Sequence, residues 1–335
     1  MQTDLHPSWD KQDEIAKKKL RALESALVMQ PPVTSGTVST PREQCVVYYD
    51  AKDGTSRKVD LSKATISDLD ALQEACGPAY SGINNDVLLK KVGILGVGSF
   101  FPTLQFPELH ALLERVRNVL TEGEGDNGKA LVAELSGLHT FGIGASVQQQ
   151  KTTAANDTLA TLVVILPTPH SGGDLVIKHA GDSWVFGLGG SNLQPSSDGH
   201  PTLGYVAFYN DVEQELLPVK TGCRVTLTYV LRWVPFNPSM TSPAESHGSP
   251  SADPTSLDPK LQRLTTTLSA LLANSSVLPE GGAVGFYLQH RYPISERICI
   301  CKAYWTPCIV VRVGKSGERG VCEPRVFPVV SEDDC

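Results

Sequence analysis

Short β-type segments separated by turns fill the chain from His139 to Val234 and leave it few possible folds. Thr161 to Pro167 and Ala207 to Asp211 are runs of apolar, β-branched or aromatic residues, which favour strands, and Gly, Pro and Asn punctuate the segments between them. Many short strands with frequent turns are typical of a jelly roll, also called a double-stranded β-helix. The sequence therefore predicts a mainly β domain of the α+β class, with its pocket at the mouth of the barrel.

Two amphipathic helices are predicted to precede and support this barrel. One begins with Ser67 as its cap and ends before a Gly-Pro pair, since Leu69 and Leu72 recur at helical spacing. The other begins at Pro107, because the fixed φ of proline suits the first helical position, and it carries leucine and valine at helical spacing up to Leu120. We interpret both apolar stripes as core packing.

Changes in composition divide the chain into four predicted segments. The stretch from Pro31 to Pro41 is rich in Pro, Ser and Thr, which is typical of a flexible linker, and the stretch after Trp233 is rich in Pro and Ser, which is typical of disorder. The segments are a charged helix with its linker (1–43), the barrel with its helices (44–234), a disordered linker (235–258), and a helix and strand extension that packs on the core (259–335).

Two short strands joined by a glycine turn follow Gln214, and Arg224 stands ten residues after it. This segment resembles the prolyl 4-hydroxylase-like iron(II)/2-oxoglutarate oxygenases, in which a distal His, a Pro-Val pair and a Gly precede a Lys or Arg at that spacing. The His-x-Gly-Gly motif at His170 and the strand from Ala207 extend the resemblance to a fungal branch of the family, over about residues 135 to 233. The resemblance implies the jelly-roll fold and a pocket for 2-oxoglutarate.

The iron ligands of that family are replaced at the positions that the resemblance assigns to them. Its His-x-Asp pair falls on Gln150 and Thr152, and its distal His falls on Gln214. Two imidazoles and one carboxylate hold iron(II) on one face in such enzymes. The three positions here offer two amides and a hydroxyl, with no anion to balance the metal. Ordinary iron(II) binding and iron-dependent turnover are therefore not expected.

The residues that bind the cosubstrate carboxylate in the family are kept. The resemblance assigns Arg224 and Thr226 to the far carboxylate of 2-oxoglutarate, and two residues that are two apart on a strand share one face. A planar, permanently charged guanidinium suits such an acid. The competing interpretation is that Arg224 pairs with Glu213 or Glu215, or lies solvated at the start of its strand. A pocket for 2-oxoglutarate or another small acid is thus one of two hypotheses for Arg224.

A displaced metal site is the alternative to losing the metal. His139 could face the pocket, with Asp157 or Asp211 as a carboxylate beside it. His170 and His179 match positions of the branch motif that do not bind iron, and we interpret them as hydrogen-bonded structural residues.

Composition excludes several classes of protein. The chain of 335 residues is long enough for a full core, and its net charge of −7 without a basic stripe argues against a nucleic-acid partner. It has no apolar run long enough to cross a bilayer, and its N-terminus lacks the form of a signal peptide. Scattered cysteines are typical of free thiols in a reducing compartment, and Cys299, Cys301 and Cys308 lack the two paired spacings of a zinc site. We expect a cytoplasmic or nuclear protein that is not secreted and has no membrane partner.

Two functions follow from these patterns. The first is a degenerate oxygenase fold that acts as a binding or scaffold protein, with a small carboxylic acid or a protein as its partner. The second is an active oxidoreductase, either a 2-oxoglutarate-dependent dioxygenase of fungal metabolism with unusual metal ligands or a metal-independent enzyme that uses the same pocket. Replacement of the three iron ligands favours the first, and no compact Ser/His/Asp or Cys/His arrangement supports the metal-independent enzyme.

Overall fold

The computed structural model describes the barrel region and short pieces elsewhere in the chain. The described residues are 18, 21, 31–81, 87–104, 108–120, 129–151, 158–189, 193, 195–235, 266–267, 282–287, 307–313 and 325–328. Contacts between Cα atoms divide the chain into two units, one made of Pro31–Phe236 with His290–Ile298 and the other of Met1–Gln30, Asn237–Gln289 and Cys299–Cys335.

The described elements are mainly strands. The helices are α1 (Ile66–Ala75) and α2 (Glu108–Leu120), with a 3-10 turn at Arg42–Cys45. The strands of the first unit are β1 (Val33–Ser39), β2 (Val46–Asp50), β3 (Ser56–Asp60), β4 (Gly77–Ser81), β5 (Val87–Gly96), β6 (Phe100–Pro102), β7 (Lys129–Phe141), β8 (Val147–Lys151), β9 (Ala160–Ile165), β10 (His170–Gly172), β11 (Leu175–His179), β12 (Asp182–Phe186), β13 (Thr202–Tyr209), β14 (Glu213–Leu216), β15 (Val219–Gly222) and β16 (Arg224–Pro235).

The second unit is described through one antiparallel sheet. Its strands are β17 (Gly282–Tyr287), β18 (Pro307–Val313) and β19 (Arg325–Pro328), in that order across the sheet. The predicted charged helix of segment 1–43 is described only at Lys18 and Arg21, which are helical. The predicted linker 235–258 lies outside the described residues apart from Pro235. Within the described part of the chain, no helix is both long and apolar enough to traverse a lipid bilayer.

Two antiparallel sheets form the barrel of the first unit. One sheet has seven strands in the order β1-β13-β9-β16-β7-β5-β4, and the other has four in the order β12-β11-β14-β8. The eight strands of the barrel, in chain order, are β7, β8, β9, β11, β12, β13, β14 and β16. The larger sheet contains the sixth, third, eighth and first of these in spatial order, and the smaller sheet contains the fifth, fourth, seventh and second. This interleaving is that of a jelly roll, so the predicted double-stranded β-helix with a mainly β composition is confirmed.

Alternation along the long strand β16 separates two apolar cores. Val225, Leu227 and Leu231 belong to the core on the outer face of the larger sheet, which also contains Leu112 and Val116 of α2. The core between the two sheets is a separate cluster. It contains Ile165, Leu175, Ile177, Val206, Phe208 and Leu216. Because successive side chains of a strand point to opposite faces, the even-numbered residues at the start of β16 face the inside of the barrel.

The two predicted helices are present, but α1 begins at a different cap. Thr65 is the N-cap, because its hydroxyl accepts a hydrogen bond from the Asp68 amide at 3.2 Å and the Asp68 carboxylate accepts one from the Thr65 amide at 2.9 Å. The prediction of Ser67 as the cap was therefore wrong by two residues, since Asp68 can complete a reciprocal capping box only with Thr65. In α2 the predicted stripe is buried, with Leu120 accepting a hydrogen bond from the Tyr209 hydroxyl.

The predicted linker from Pro31 to Pro41 is instead largely a strand of the barrel sheet. Within it, β1 pairs antiparallel with β13 along its whole length. The absence of a side chain at Gly36 leaves room for the Tyr205 ring of β13, since a Cβ at Gly36 would lie 2.8 Å from the Tyr205 hydroxyl oxygen. A strand rich in Thr, Ser and Gly lacks the apolar alternation that identifies strands in a sequence, and its stability comes from the partner strand.

Candidate functional site

A cavity of about 470 Å³ lies inside the barrel, lined by strands of the larger sheet, including its β5 and β4, and of the smaller sheet. This is the size of a small-molecule site. One wall carries polar side chains from the barrel strands β7, β14 and β16, namely His139, Gln214, Arg224, Thr226 and Thr228. A second, apolar wall comes from β5 and β4, which follow β7 in the larger sheet, with Pro78, Ala79, Leu89, Val92 and Ile94.

Arg224 begins β16 and places a charged group in this cavity wall. Its side chain is 1% exposed, and one terminal nitrogen donates a hydrogen bond of 2.5 Å to the carbonyl oxygen of Gly173. The Nε atom is buried without a hydrogen-bond partner. Burial lowers the pKa of the guanidinium from 12.5 to about 10, although the nearby Asp174 carboxylate opposes this shift. The guanidinium is therefore charged at neutral pH, although burial disfavours the charge.

The pairing of Arg224 with Glu213 or Glu215, our competing hypothesis, is not what the structure shows. The Glu215 carboxylate instead forms an ion pair of 3.1 Å with the ammonium group of Lys178. No carboxylate of the described residues lies within ion-pair distance of the Arg224 guanidinium. The guanidinium is also not solvated at the start of its strand, because the side chain is buried.

His139 and two threonines continue the polar wall beside Arg224. Thr226 lies directly opposite His139 in the β16–β7 register, and the hydroxyl of Thr228 lies 3.3 Å from Nδ1 of His139. The imidazole stacks on Phe141, with ring centroids 6.2 Å apart and planes inclined by 18°. Burial among these groups lowers the pKa of His139 to about 4, so the ring is neutral at physiological pH.

Replacing His139 with glutamine is expected to make the free energy of unfolding depend less on pH between pH 6.5 and 4. The folded-state pKa of about 4 lies below the usual histidine pKa of 6.5, so between these pH values the unfolded chain binds a proton at His139 and the folded chain does not. Stability therefore falls as the pH drops from 6.5 to 4, by at most about 3 kcal/mol. Urea unfolding from pH 7 to 4 measures this, with the exposed His200→Gln as the control. An equally steep loss in both variants would contradict the assignment.

Gln214 lies on β14 at the cavity, between two neighbouring strands of the smaller sheet. It stands directly opposite Ile177 of β11 on one side and opposite Gln150 of β8 on the other. The backbone register thus brings together two of the three positions that the sequence pattern assigned to replaced iron ligands. Thr152, the third position, lies outside the described residues.

The described donors of the cavity do not match the iron centre of the resembled oxygenases. That centre needs two imidazoles and a carboxylate. Of the described lining residues, His139 supplies the one imidazole and Glu215 the one carboxylate, and this carboxylate is bonded to Lys178. Among the residues that the structure describes, no group of three or more His, Cys, Asp or Glu side chains could hold a metal ion.

Of the other histidines and acids singled out in the sequence, those that the structure describes are not among the residues that line the cavity. The buried His170 shares a hydrogen bond of 2.8 Å between its Nδ1 and the Thr168 carbonyl oxygen, a structural contact. Neither His179 nor Asp211 is among the residues that line the cavity. Asp157 lies outside the described residues, as do Cys299 and Cys301, and Cys308 is described only as part of β18.

Sequence reasoning missed the apolar wall and one polar residue of the cavity. Thr228 could have been found, because it follows Arg224 and Thr226 at the next inward position of β16. The apolar wall could not be predicted, because the alternation of inward and outward side chains is interrupted within β5. Lys91 has a φ of 59°, and Leu89 before it and Val92 after it both line the cavity. A period of two does not predict that arrangement.

The chain was compared with known proteins. No protein-family model and no curated protein matches it. Similar solved structures include a 2OG-Fe(II) oxygenase family oxidoreductase from Burkholderia pseudomallei, at 10% identity and a TM-score of 0.32, covering 64% of this chain and 89% of that one. They also include a Trichoplax adhaerens prolyl hydroxylase in complex with a hypoxia inducible factor peptide, at 11% identity and a TM-score of 0.33, covering 69% and 94%. A Pseudomonas putida prolyl-4-hydroxylase has 18% identity and a TM-score of 0.26, covering 37% and 64%.

Proposed function

We propose that this protein binds a small carboxylic acid inside its barrel, as a degenerate oxygenase fold that works as a binding protein without the usual iron centre. One observation carries the proposal, namely the buried guanidinium of Arg224, which lines a cavity and has no carboxylate partner among the described residues. A buried charge without a counter-ion is costly to keep. The Asp174 carboxylate lies near but beyond ion-pair distance, and a ligand carboxylate would supply a direct ion-pair partner.

The groups around Arg224 suit the recognition of a carboxylate. The guanidinium offers hydrogen-bond donors in a planar fork, and only one donor is accounted for by the Gly173 carbonyl. Thr226 lies on the same face of β16, so its hydroxyl can donate to a second oxygen of the acid. Burial removes water from this contact, which strengthens a charge-assisted hydrogen bond.

The remaining polar side chains of the cavity favour a binding protein over an enzyme. Gln214 presents a neutral amide where the resembled enzymes have an imidazole, and His139 is a neutral ring bonded to Thr228. The carboxylate of Glu215 is held by Lys178. These groups can position a ligand by hydrogen bonds, but they do not form a ligand set for iron(II).

An anaerobic titration with iron(II) and 2-oxoglutarate tests the proposal directly. We expect no visible charge-transfer band of an iron chelate, and no succinate after oxygen is admitted. In parallel, calorimetry with a panel of small carboxylic acids, 2-oxoglutarate included, is expected to show binding of at least one acid with the same dissociation constant whether or not iron(II) is present. A chelate band followed by succinate would overturn the proposal in favour of an active dioxygenase, and failure of every acid to bind would remove the binding function.

A further inference from the structure

The ionised groups around the cavity allow for one negative charge on the ligand. Of the described lining residues, Arg224 and Glu215 are the two with charged side chains, and Glu215 is neutralised by Lys178. His139, which stacks on Phe141 inside the cavity wall, contributes no positive charge, because burial lowers its pKa to about 4. A second carboxylate on the ligand would therefore enter a low-dielectric site with no cation to meet it.

The apolar wall adjoins the polar wall in the larger sheet and lies at a fixed distance from Arg224. In the larger sheet, His139 of β7 is the cross-strand partner of Thr226 of β16 on one side and of Ile94 of β5 on the other. In the same way, Phe141 of β7 is the partner of Arg224 on one side and of Val92 on the other. Two strand spacings separate β16 from β5, which amounts to about 10 Å. An acid held at Arg224 and lying across the strands would thus place its far end on Val92 and Ile94.

The far end of this path is apolar and largely buried. Val92 is 6% exposed, and Ala79 of β4, which also lines the cavity, is 5% exposed. Val92, Ala79 and Ala145 form a small apolar cluster, against which Leu89 and Ile94 pack. Apolar side chains at this end would bury hydrocarbon and offer nothing to a second charged group.

From this arrangement we infer that the ligand is a monocarboxylic acid with an apolar body of about the length of an eight-carbon chain, and not a dicarboxylic acid such as 2-oxoglutarate. The carboxylate binds Arg224 and Thr226, and the hydrocarbon lies over His139 and Phe141 against Val92 and Ile94. The inference rests on the proposed carboxylate site and specifies its ligand class.

Three eight-carbon ligands test the charged end and the apolar end of the site independently. Octanoate and octanedioate differ only by the second carboxylate, and octanamide lacks the negative charge of octanoate. By calorimetry, octanoate is expected to bind roughly tenfold or more tightly than either octanedioate or octanamide. Binding is expected to strengthen about three- to fourfold for each CH2 added from butanoate to octanoate, because each one is buried against the apolar wall.

A single substitution should change this preference in a predictable direction. Ile94→Lys places a cation at the far end of the path, on a side chain that is only partly buried and can therefore reach solvent while the variant folds. It is expected to favour octanedioate over octanoate. Val185→Lys, which adds the same charge on the exposed strand β12, is the control and should keep the preference for octanoate.

The outcomes distinguish this inference from the proposed function. Tight binding of 2-oxoglutarate or octanedioate to the unmodified protein, with weak binding of octanoate, would overturn the inference and leave the carboxylate site standing. Equal binding of octanamide and octanoate would remove the role of Arg224 and both proposals with it. Equal affinity for all monocarboxylates from butanoate to octanoate would show that the apolar wall does not hold the ligand.

Discussion

An Arg224→Met variant is expected to lose carboxylate binding and, in the absence of ligand, to unfold less readily than the unmodified protein. Burial lowers the pKa of this guanidinium from 12.5 to about 10, and each tenfold change in the protonation equilibrium corresponds to about 1.4 kcal/mol. Keeping the charge buried therefore costs about 3 kcal/mol. Removing the hydrogen bond to Gly173 costs about 1 to 2 kcal/mol, since that carbonyl then lacks a partner.

The net expectation for Arg224→Met is a free energy of unfolding higher by about 1 to 2 kcal/mol. Urea unfolding of dialysed protein measures this change, and calorimetry with octanoate measures the binding. Arg232→Met is the matched control, because Arg232 lies on the same strand, outside the cavity, in an ion pair with Glu134. It should retain binding. A variant at Arg224 that binds normally, or that unfolds far more easily, would identify the guanidinium as a structural group.

Replacing Gly222 with alanine is expected to destabilise the fold by about 4 kcal/mol or more, among the largest effects of a single substitution. Gly222 has a φ of 69°, a conformation that L residues rarely adopt. A Cβ there would overlap the carbonyl oxygen of Pro169 and lie 2.9 Å from its carbonyl carbon. Both atoms belong to the backbone, so no side-chain rotation relieves the clash. Since Gly222 is two residues before Arg224, any shift of the strand also moves the binding site.

Gly199 provides the control for this effect. It has a φ of 73°, nearly the same as Gly222, but a Cβ there would meet nothing within 4 Å. Gly199→Ala is therefore expected to cost only the conformational part, about 1 to 2 kcal/mol. The difference between the two variants, measured by urea unfolding, isolates the contact with Pro169. Equal destabilisation at both sites would mean that the backbone at Pro169 can move away from a Cβ at position 222 without a measurable cost in the free energy of unfolding.

The barrel could be predicted from the sequence where its strands are apolar and could not where their stability comes from a neighbour. The run from Thr161 predicted β9. The sequence from Gln214 to Thr226 predicted two strands, and the structure has three there, β14, β15 and the start of β16. In contrast, the sequence of β1 predicts a linker, because its Thr, Ser and Gly residues carry no sign of the pairing with β13. The cap of α1 could not be predicted because Ser67 with Asp70 has the same spacing as Thr65 with Asp68, and the structure shows the second pair as the capping box.

For the site, the resemblance at Gln214 and at Arg224 ten residues later predicted two residues of one pocket, and both line one cavity. The sequence left open whether Arg224 pairs with Glu215, because the two residues lie on different strands, β16 and β14, and a sequence does not show how such strands are placed. Here the Glu215 side chain meets Lys178 of the neighbouring strand. The apolar wall depends on the contact of β5 with β7 and on the unusual φ of Lys91, neither of which is encoded in a local pattern.

The division of β16 into two faces has a consequence for how this protein can change. The outward residues Val225, Leu227 and Leu231 hold the fold together, whereas the inward residues Thr226 and Thr228 face the ligand cavity. Substitutions on the inward face can alter ligand preference while the outward packing is untouched. The barrel is therefore an adaptable scaffold, in which selection or protein engineering can exchange one small-molecule specificity for another without redesigning the architecture.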